Sequence, residues 1–288
     1  MLLQKKWLLL LPATLAVSWA AIFIRFSDAP SNAIAFYRML FAVVLLSPFA
    51  VTIYRNQFRE FTSKVFWISA LAGFILGWHF FFWIKSLDYT SISSSVILVS
   101  TQPIFMTLMA SMFLKEKAGM RGTVAIILAI IGTAFIAGFD FLSEKDYLWG
   151  DILALIGTLM AAVYLFLGRV VRSKVSFFPY LFTVYGLATL TLGTILLVSG
   201  ELIQSYRPIN YFYFFLLALV PTIIGHSLYN YAMRHVKAYK VGLSLVGEPI
   251  LASIWAIFIF AEYPSIGTII GGILIISALI LVFSEKGQ

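Results

Sequence analysis

Two short stretches of this chain place a polar side chain directly before a proline inside an apolar run: Gln102-Pro103 and Glu248-Pro249. A carboxylate in hydrocarbon costs about 2.5–3.5 kcal/mol on insertion scales, so such a group usually faces protein or a water-filled cavity. Proline has no N–H to donate and leaves a carbonyl unpaired one turn back. The two stretches therefore predict interrupted helices that place these polar groups in a central cavity.

In such a cavity Glu248 can bind a cationic or amino group, or carry a coupling proton. The alternative is a structural acid that pairs with a neighbouring helix, for instance with Arg38. Burial raises the pKa of a carboxyl group and a nearby cation lowers it, so the residue types alone leave its charge state open.

Two histidines also lie inside predicted spans, His79 in the third and His226 in the eighth. His226 shares one helix face with Tyr229 and Asn230, which follow it at i+3 and i+4. Histidine can relay protons near neutral pH, but hydrogen bonding along a cavity wall is the commoner role. We expect these side chains to line the cavity, with proton relay as the alternative. A metal site is not expected, because the histidines lack a ligand motif such as HExxH.

Aromatic residues make up 17% of the chain, and most of them are expected to face lipid or the membrane interface. Those in the middle of spans can form a stacking wall for a flat or cationic substrate. Helix packing explains any one of them equally well. The candidates for the wall are Trp19, Trp78, Tyr164 and Trp255.

One arginine, Arg38, falls inside the second predicted span. Its depth from the outer face is roughly 9 Å for a rise of about 1.5 Å per residue. Long basic side chains near helix ends usually turn toward the interface. We therefore expect Arg38 to reach outward to water or to pair with Asp28.

The elements that must position these groups are apolar. Hydrophobic residues make up 61% of the 288 and charged residues 11%, against about 25% charged residues in soluble domains. Apolar runs of about twenty residues recur along the chain, which indicates an all-α polytopic membrane protein with one membrane domain, residues 1–288. We expect the first span to be retained rather than cleaved as a signal peptide. The ten predicted spans are Trp7–Ile24, Asn32–Tyr54, Val65–Lys85, Ile92–Leu114, Gly122–Phe139, Trp149–Val171, Phe177–Ser199, Tyr211–Met233, Val241–Ala261 and Ile266–Phe283.

The basic residues are unevenly divided between the two predicted sides of the membrane. If the N-terminus is cytoplasmic, fifteen of the twenty Lys and Arg residues fall on the cytoplasmic side, four on the other, and Arg38 within a span. Because cytoplasmic loops are enriched in these residues, we predict a multi-pass protein of the cytoplasmic (inner) membrane with both termini in the cytoplasm. The net charge of +8 is then an orientation signal, and nucleic acid is not an expected partner.

An internal repeat relates the two proline stretches. A shift of 146 residues places Gln102-Pro103 on Glu248-Pro249 and Glu116 on Glu262, although only four of twenty-one positions from 96 to 116 are identical. Five spans per half is an odd number, so the halves must cross the membrane in opposite orientations. Inverted repeats are typical of secondary transporters, whose sites lie near the midplane. We predict two inverted five-helix repeats, residues 1–142 and 146–286, around a central cavity.

With these motifs the chain resembles the EamA-type transporters of the drug/metabolite superfamily over nearly its whole length. Lys115 and Ala261 depart from the pattern, since the family often has glycine at these positions. The resemblance implies two inverted five-helix halves that move small metabolites or drugs, usually outward, without naming the substrate. It rests on Ser18-Trp19-Ala20, Phe36-Tyr37-Arg38, Ser86-Leu87 through Pro103 to Leu114-Lys115-Glu116, Gly150-Asp151-Ile152-Leu153-Ala154, and Gly247-Glu248-Pro249 through Ala261-Glu262.

We therefore predict a membrane transporter that exports small metabolites, such as amino acids or amphipathic and aromatic amines and drugs, by alternating access. Protons are the candidate coupling ion, and we expect a monomer in the lipid bilayer, with a dimer as the alternative. An importer or exchanger of the same fold, a membrane scaffold or sensor, and an intramembrane lipid-acting enzyme are the competing functions. No cofactor, metal or enzymatic activity is expected, because the sequence contains no P-loop, catalytic triad or cysteine.

Overall fold

The computed structural model describes residues 6–113, 120–143, 145–171, 175–201, 205–235 and 244–284. These residues form ten helical spans, several of them built from consecutive helical segments, so the predicted all-α polytopic fold is confirmed. The spans are α1 (Leu10–Ser18 and Ala20–Phe26), α2 (Ser31–Pro48 and Phe49–Ile53), α3 (Ser63–Ser86), α4 (Ile92–Val99 and Gln102–Phe113), α5 (Met120–Ser143), α6 (Lys145–Val171), α7 (Phe177–Val198), α8 (Pro208–Leu217, Ala218–His226 and Ser227–His235), α9 (Gly247–Phe260) and α10 (Ile266–Ser284).

Length and hydropathy separate the ten spans into two groups. Six helices, within α2, α3, α5, α6, α7 and α8, are long and apolar enough to cross a membrane. The other four, α1, α4, α9 and α10, contain shorter apolar helices. Large apolar side chains such as Val198, Phe258 and Ile273 are exposed on the outside of the bundle, as expected for a surface that contacts lipid.

Two of the shorter spans are interrupted beside the prolines. The first segment of α4 ends at Val99, a turn follows over residues 100–101, and the second segment begins at Gln102 with Pro103 next. In the second half, α9 begins at Gly247 directly after a turn at Val246, so Pro249 lies in its first turn. A proline is tolerated there because the first N–H groups of a helix have no intrahelical partner.

The middle of α8 contains a wider helical turn that was not predicted from the sequence. Residues Ala218–His226 are π-helical and contain Pro221. The hydroxyl of Thr222 donates to the carbonyl of Leu217, five residues earlier, at 2.8 Å. Single π-helical turns occur frequently at functional sites, and this one positions both Thr222 and His226.

Glycines allow α5 and α10 to pack closely. A Cβ atom built on Gly132 would lie 2.7 Å from the carbonyl oxygen of Gly271. Likewise, a Cβ on Gly267 would overlap the side chain of Phe139. The spacing Gly267-x-x-x-Gly271 therefore forms a close-packing surface, because each missing side chain lets the neighbouring backbone approach.

We call the end of the bundle that the charge distribution predicts to face outward the outer end. There, Arg25 at the end of α1 forms an ion pair with Glu262 after α9, with 3.4 Å between nitrogen and oxygen. The Glu262 carboxylate also accepts the backbone N–H of Ile92 at the start of α4. Arg25 also donates to the carbonyl of Thr90 at 3.4 Å. This network connects Glu262, in the second half of the chain, to two elements of the first half.

A second contact between the halves at the outer end involves Asn210 in α8. Its side-chain oxygen accepts the backbone N–H of Asp28 at 3.1 Å, and its amide donates to the Asp28 carbonyl at 2.8 Å. The Asp28 carboxylate lies 3.7 Å from the Arg207 guanidinium. The loop between α1 and α2 is therefore held against the start of α8.

Candidate functional site

Glu248 and Gln102 line the same small cavity, where the interruption of α4 meets the start of α9. The cavity has a volume of about 10 Å³, close to the minimum that holds one water molecule. Glu248 lies in the first turn of α9, where the positive end of the helix dipole favours a carboxylate. The two polar residues that the 146-residue shift relates are thus neighbours in space. The cavity is completed by Ser100, Pro103, Leu245 and Leu279.

The expectation that Arg38 reaches outward or pairs with Asp28 is wrong. Arg38 is 1% exposed, and its Nε donates to the Thr222 hydroxyl at 2.9 Å. Asp28 pairs with Arg207 instead. The physical reason is the face of α2 that carries Arg38, because Ala35 and Ala42, on the same face, are also fully buried. The side chain therefore points into the bundle.

Aromatic rings enclose the guanidinium of Arg38. Its central carbon lies 4.3 Å from the ring centroid of Phe80 and 5.6 Å from that of Trp83. Tyr185, a fully enclosed side chain of α7, lies within electrostatic range. This environment combines cation–π contact with burial of the side chain, which strengthens every electrostatic interaction of the charge.

Arg38 also interacts electrostatically with Glu248. Among the residues that the structure describes, the two charges do not approach to within 4 Å as an ion pair. The alternative in which Glu248 is a structural acid paired directly with Arg38 is therefore not what the geometry displays. Glu248 and Arg38 come from opposite halves of the chain. They interact electrostatically without direct contact between their charged groups.

Both histidines belong to this environment. His79 is buried, and its Nδ1 lies 2.9 Å from the carbonyl oxygen of Gly157. Because a carbonyl can only accept, Nδ1 carries the proton, and Nε2 of a neutral His79 is an acceptor. His226 interacts electrostatically with both Arg38 and His79. The fold thus brings together two histidines that are 147 positions apart.

Tyr229 lies on the side of the site that faces α1. Its hydroxyl is 2.7 Å from that of Thr14, and it interacts electrostatically with Glu248. The Thr14 hydroxyl also donates to the carbonyl of Ser244 at 3.1 Å, so α1 is tied to the segment before α9. The side chain of Asn230 lies outside the described part of the chain, as do Lys115 and Glu116.

The four aromatic candidates fall into different places. Trp19 and Trp255 stack on each other with ring centroids 5.2 Å apart, and the Trp255 indole donates to the Ser18 hydroxyl at 3.0 Å. Tyr164 packs against the main core and interacts electrostatically with Tyr185.

Trp78, by contrast, belongs to an aromatic group on another face of α3. Its ring contacts are with Phe74, Phe81 and Phe82, and Phe74 is 45% exposed. Within the described part of the chain, no ring contact of Trp78 reaches the residues around Glu248. This face of α3 is therefore partly exposed at the surface of the bundle.

The residues around Arg38 were not predicted from the sequence as part of the site. They are Thr222, Phe80, Trp83 and Tyr185. One available signal was the arginine itself, since a charge inside a span usually faces the interior. The second signal was Pro221. It lies in the π-helical segment of α8, directly before Thr222, which accepts the hydrogen bond from Arg38.

Ten apolar helical spans in the described part of the chain, with polar groups where two interrupted helices meet, are the architecture typical of polytopic membrane transporters. The EamA-like transporter family matches residues 5–138 and again residues 148–284. The chain belongs to this family.

Relatives and a solved structure agree with this assignment. An uncharacterized transporter of Archaeoglobus fulgidus is 27% identical over 302 residues, 99% of this chain and 100% of that protein. The S-adenosylmethionine uptake transporter of Rickettsia bellii is 25% identical over 263 residues, 88% of this chain and 84% of that protein. A crystal structure with 16% identity covers 98% of this chain and 99% of its own with a TM-score of 0.65, which shows the same fold.

Proposed function

We propose that this transporter exports small metabolites that carry an amino or other cationic group. The observation that carries the proposal is the cavity at which Glu248 and Gln102 meet. A carboxylate near the membrane centre attracts a cation, and an amide beside it can donate or accept a hydrogen bond. The cavity has room for about one water molecule, so a larger solute requires α4 and α9 to move apart.

Alternating access supplies that movement in this proposal. The two halves, residues 1–142 and 146–286, are taken as inverted repeats that rock against each other around the central site. The contacts between halves at the outer end, Arg25 with Glu262 and Asp28 with Asn210, support this mechanism because they join the two halves at one end of the bundle. Both termini are taken as cytoplasmic, and the working unit is taken as a monomer.

The proposal is tested by flux through purified protein in proteoliposomes. The substrates are radiolabelled amino acids and organic amines, and the matched variants are Glu248→Gln and Asp146→Asn. Asp146 is an exposed acid at the start of α6, so its neutralisation changes the net charge equally without touching the cavity. We expect Glu248→Gln to lose transport and Asp146→Asn to retain it. Equal flux through both variants would contradict a substrate role for Glu248.

Import is the second candidate, favoured by the relative from Rickettsia bellii, an uptake transporter for S-adenosylmethionine. That molecule carries a sulfonium cation and an amino group, so Glu248 suits it as well as an exported amine. Flux measured separately in right-side-out and inverted membrane vesicles distinguishes the two directions. Faster accumulation in inverted vesicles supports export, and faster accumulation in right-side-out vesicles supports import.

A scaffold or sensor without transport predicts a dry centre in which Glu248 is fully paired. The cavity beside Glu248 and its separation from Arg38 favour transport over this function. An intramembrane lipid-acting enzyme needs clustered acids or histidines near the interface. Among the described residues, no group of three His, Cys, Asp or Glu side chains is placed to hold a metal ion, which gives this alternative no support.

A further inference from the structure

The guanidinium of Arg38 has an unused donor in the interior of the bundle. Nε donates to Thr222, but Nη1 is fully buried and has no hydrogen-bond partner within the described part of the chain. Buried polar groups are nearly always hydrogen-bonded, and a buried charge is normally paired. An arginine held in this way is therefore poised for an acceptor that the protein itself does not supply.

A second unused donor lies beside it. The indole Nε1 of Trp83 is also buried without a partner among the described residues. The Trp83 ring centroid is 5.6 Å from the central carbon of the Arg38 guanidinium. Two neighbouring donors without acceptors indicate an acceptor-rich ligand, and a guanidinium edge matches the planar fork of a carboxylate.

The groups facing Arg38 limit the charge of that ligand. Two histidines, His79 and His226, and the hydroxyl of Tyr185 lie within electrostatic range of it on three different helices. Among the described residues, Glu248 is an acid within electrostatic range of Arg38, and the two do not form an ion pair. A monoanion neutralises Arg38, whereas a dianion such as phosphate adds a second negative charge near Glu248.

We propose that Arg38 and Trp83 form a carboxylate subsite, and that the transported molecules are zwitterionic amino acids rather than simple amines. The amino group pairs with Glu248 and the carboxylate with Arg38, so that one substrate satisfies both separated charges. This inference rests on the proposed function, because it assigns a second recognition point to the same central site.

The direct test compares substrates that differ only in the carboxylate. The wild-type protein is placed in phosphatidylcholine nanodiscs, and thermal shift is measured with each of the twenty standard L-amino acids and with the corresponding decarboxylated amines, such as leucine and isoamylamine. Flux in proteoliposomes is then measured for every compound that binds. We expect stabilisation and flux for one or more amino acids and neither for their amines.

Two variants test whether the preference for amino acids over amines depends on Arg38 and Trp83. Trp83→Phe removes the indole donor but keeps an aromatic ring, and Arg38→Lys keeps the charge but removes the planar fork. Each change is expected to weaken amino acid binding by about tenfold, the typical effect of losing a hydrogen bond to a charged group. The preference for amino acid over amine also falls, which a purely structural role for either residue does not predict. Lys64→Gln removes an exposed basic charge at the start of α3 and serves as the matched control.

The outcomes separate the inference from the proposed function. If amines bind and are transported as well as amino acids, the carboxylate subsite is wrong and the amine-binding role of Glu248 stands. If neither class binds, both proposals fail. If inorganic phosphate or added phosphatidylglycerol stabilises the protein through Arg38 and amino acids do not, the subsite recognises phosphate instead, and the inference is overturned.

Discussion

The outer end of the bundle offers a quantitative test of alternating access. Glu262 makes two interactions there, an ion pair with Arg25 and the acceptance of the Ile92 N–H at the start of α4. Both must break if α9 moves away from α1 and α4 to open this end. The variants Glu262→Ala and Glu262→Gln are therefore expected to favour the outward-open state.

The size of the effect follows from the exposure of the pair. The Arg25 side chain is 35% exposed and that of Glu262 20%, so solvent screening limits the ion pair to about 0.5 kcal/mol. Losing a side-chain acceptor at a helix start costs about 1 kcal/mol. Glu262→Ala removes both, about 1.5 kcal/mol, which corresponds to about a tenfold shift in the closed-to-open ratio. Glu262→Gln keeps an acceptor for the N–H and is expected to shift the ratio by about threefold or less.

Cysteine accessibility measures this ratio directly, because the chain contains no cysteine of its own. Ser93, the residue after Ile92, is fully buried, so a Ser93→Cys thiol reports opening. A membrane-impermeant maleimide added from outside is expected to label it about ten times faster in the Glu262→Ala background, in line with the shift derived above. Asp146→Asn is the matched control. Unchanged labelling, or faster labelling from the cytoplasmic side alone, would refute a gate at this end.

Three further perturbations test the coupling and the packing. In proteoliposomes, a proton gradient is expected to accelerate export through the wild type and to leave any residual flux through Glu248→Gln unchanged. Gradient-independent flux through the wild type would rule out coupling. Trp255→Phe keeps an aromatic ring but loses the hydrogen bond to Ser18. Thermal-shift measurements are expected to show a lower melting temperature, equivalent to a loss of about 1 kcal/mol in the free energy of unfolding. Gly271→Leu forces a side chain against the backbone of Gly132. In the same assay, the free energy of unfolding is expected to fall by about 1–3 kcal/mol or more.

Matched substitutions control the two stability predictions. Trp149→Phe makes the same chemical change as Trp255→Phe at an exposed position, and Ile273→Leu alters an exposed residue two positions from Gly271. Neither is expected to lower the melting temperature measurably. An equal loss of stability in a control and in the variant that it matches would show that the hydrogen bond of the Trp255 indole, or the close contact of Gly271, contributes nothing specific.

The ten spans were predictable because the length and hydropathy of an apolar run are local properties of the chain. The observed bounds of α2, α3 and α7 differ from the predicted ones by at most two residues at either end. The helix interruptions were predictable for the same reason, since a proline lacks a backbone N–H donor wherever it occurs. The proximity of Gln102 and Glu248 was accessible through the 146-residue spacing, which relates distant positions without any knowledge of their contacts.

The direction in which each side chain points was decided by the tertiary structure. Arg38 is held by Thr222, 184 residues away, and that threonine occupies its place because of a π-helical turn in α8. Trp19 and Trp255 meet across the halves, whereas Trp78, equally central in its span, contacts the exposed ring of Phe74. Hydropathy cannot distinguish these cases, because lipid and protein interior are both apolar and leave no periodic contrast along a membrane helix. The sequence alone thus determined the class of protein and the depth of its polar groups, and helix packing decided which of them meet.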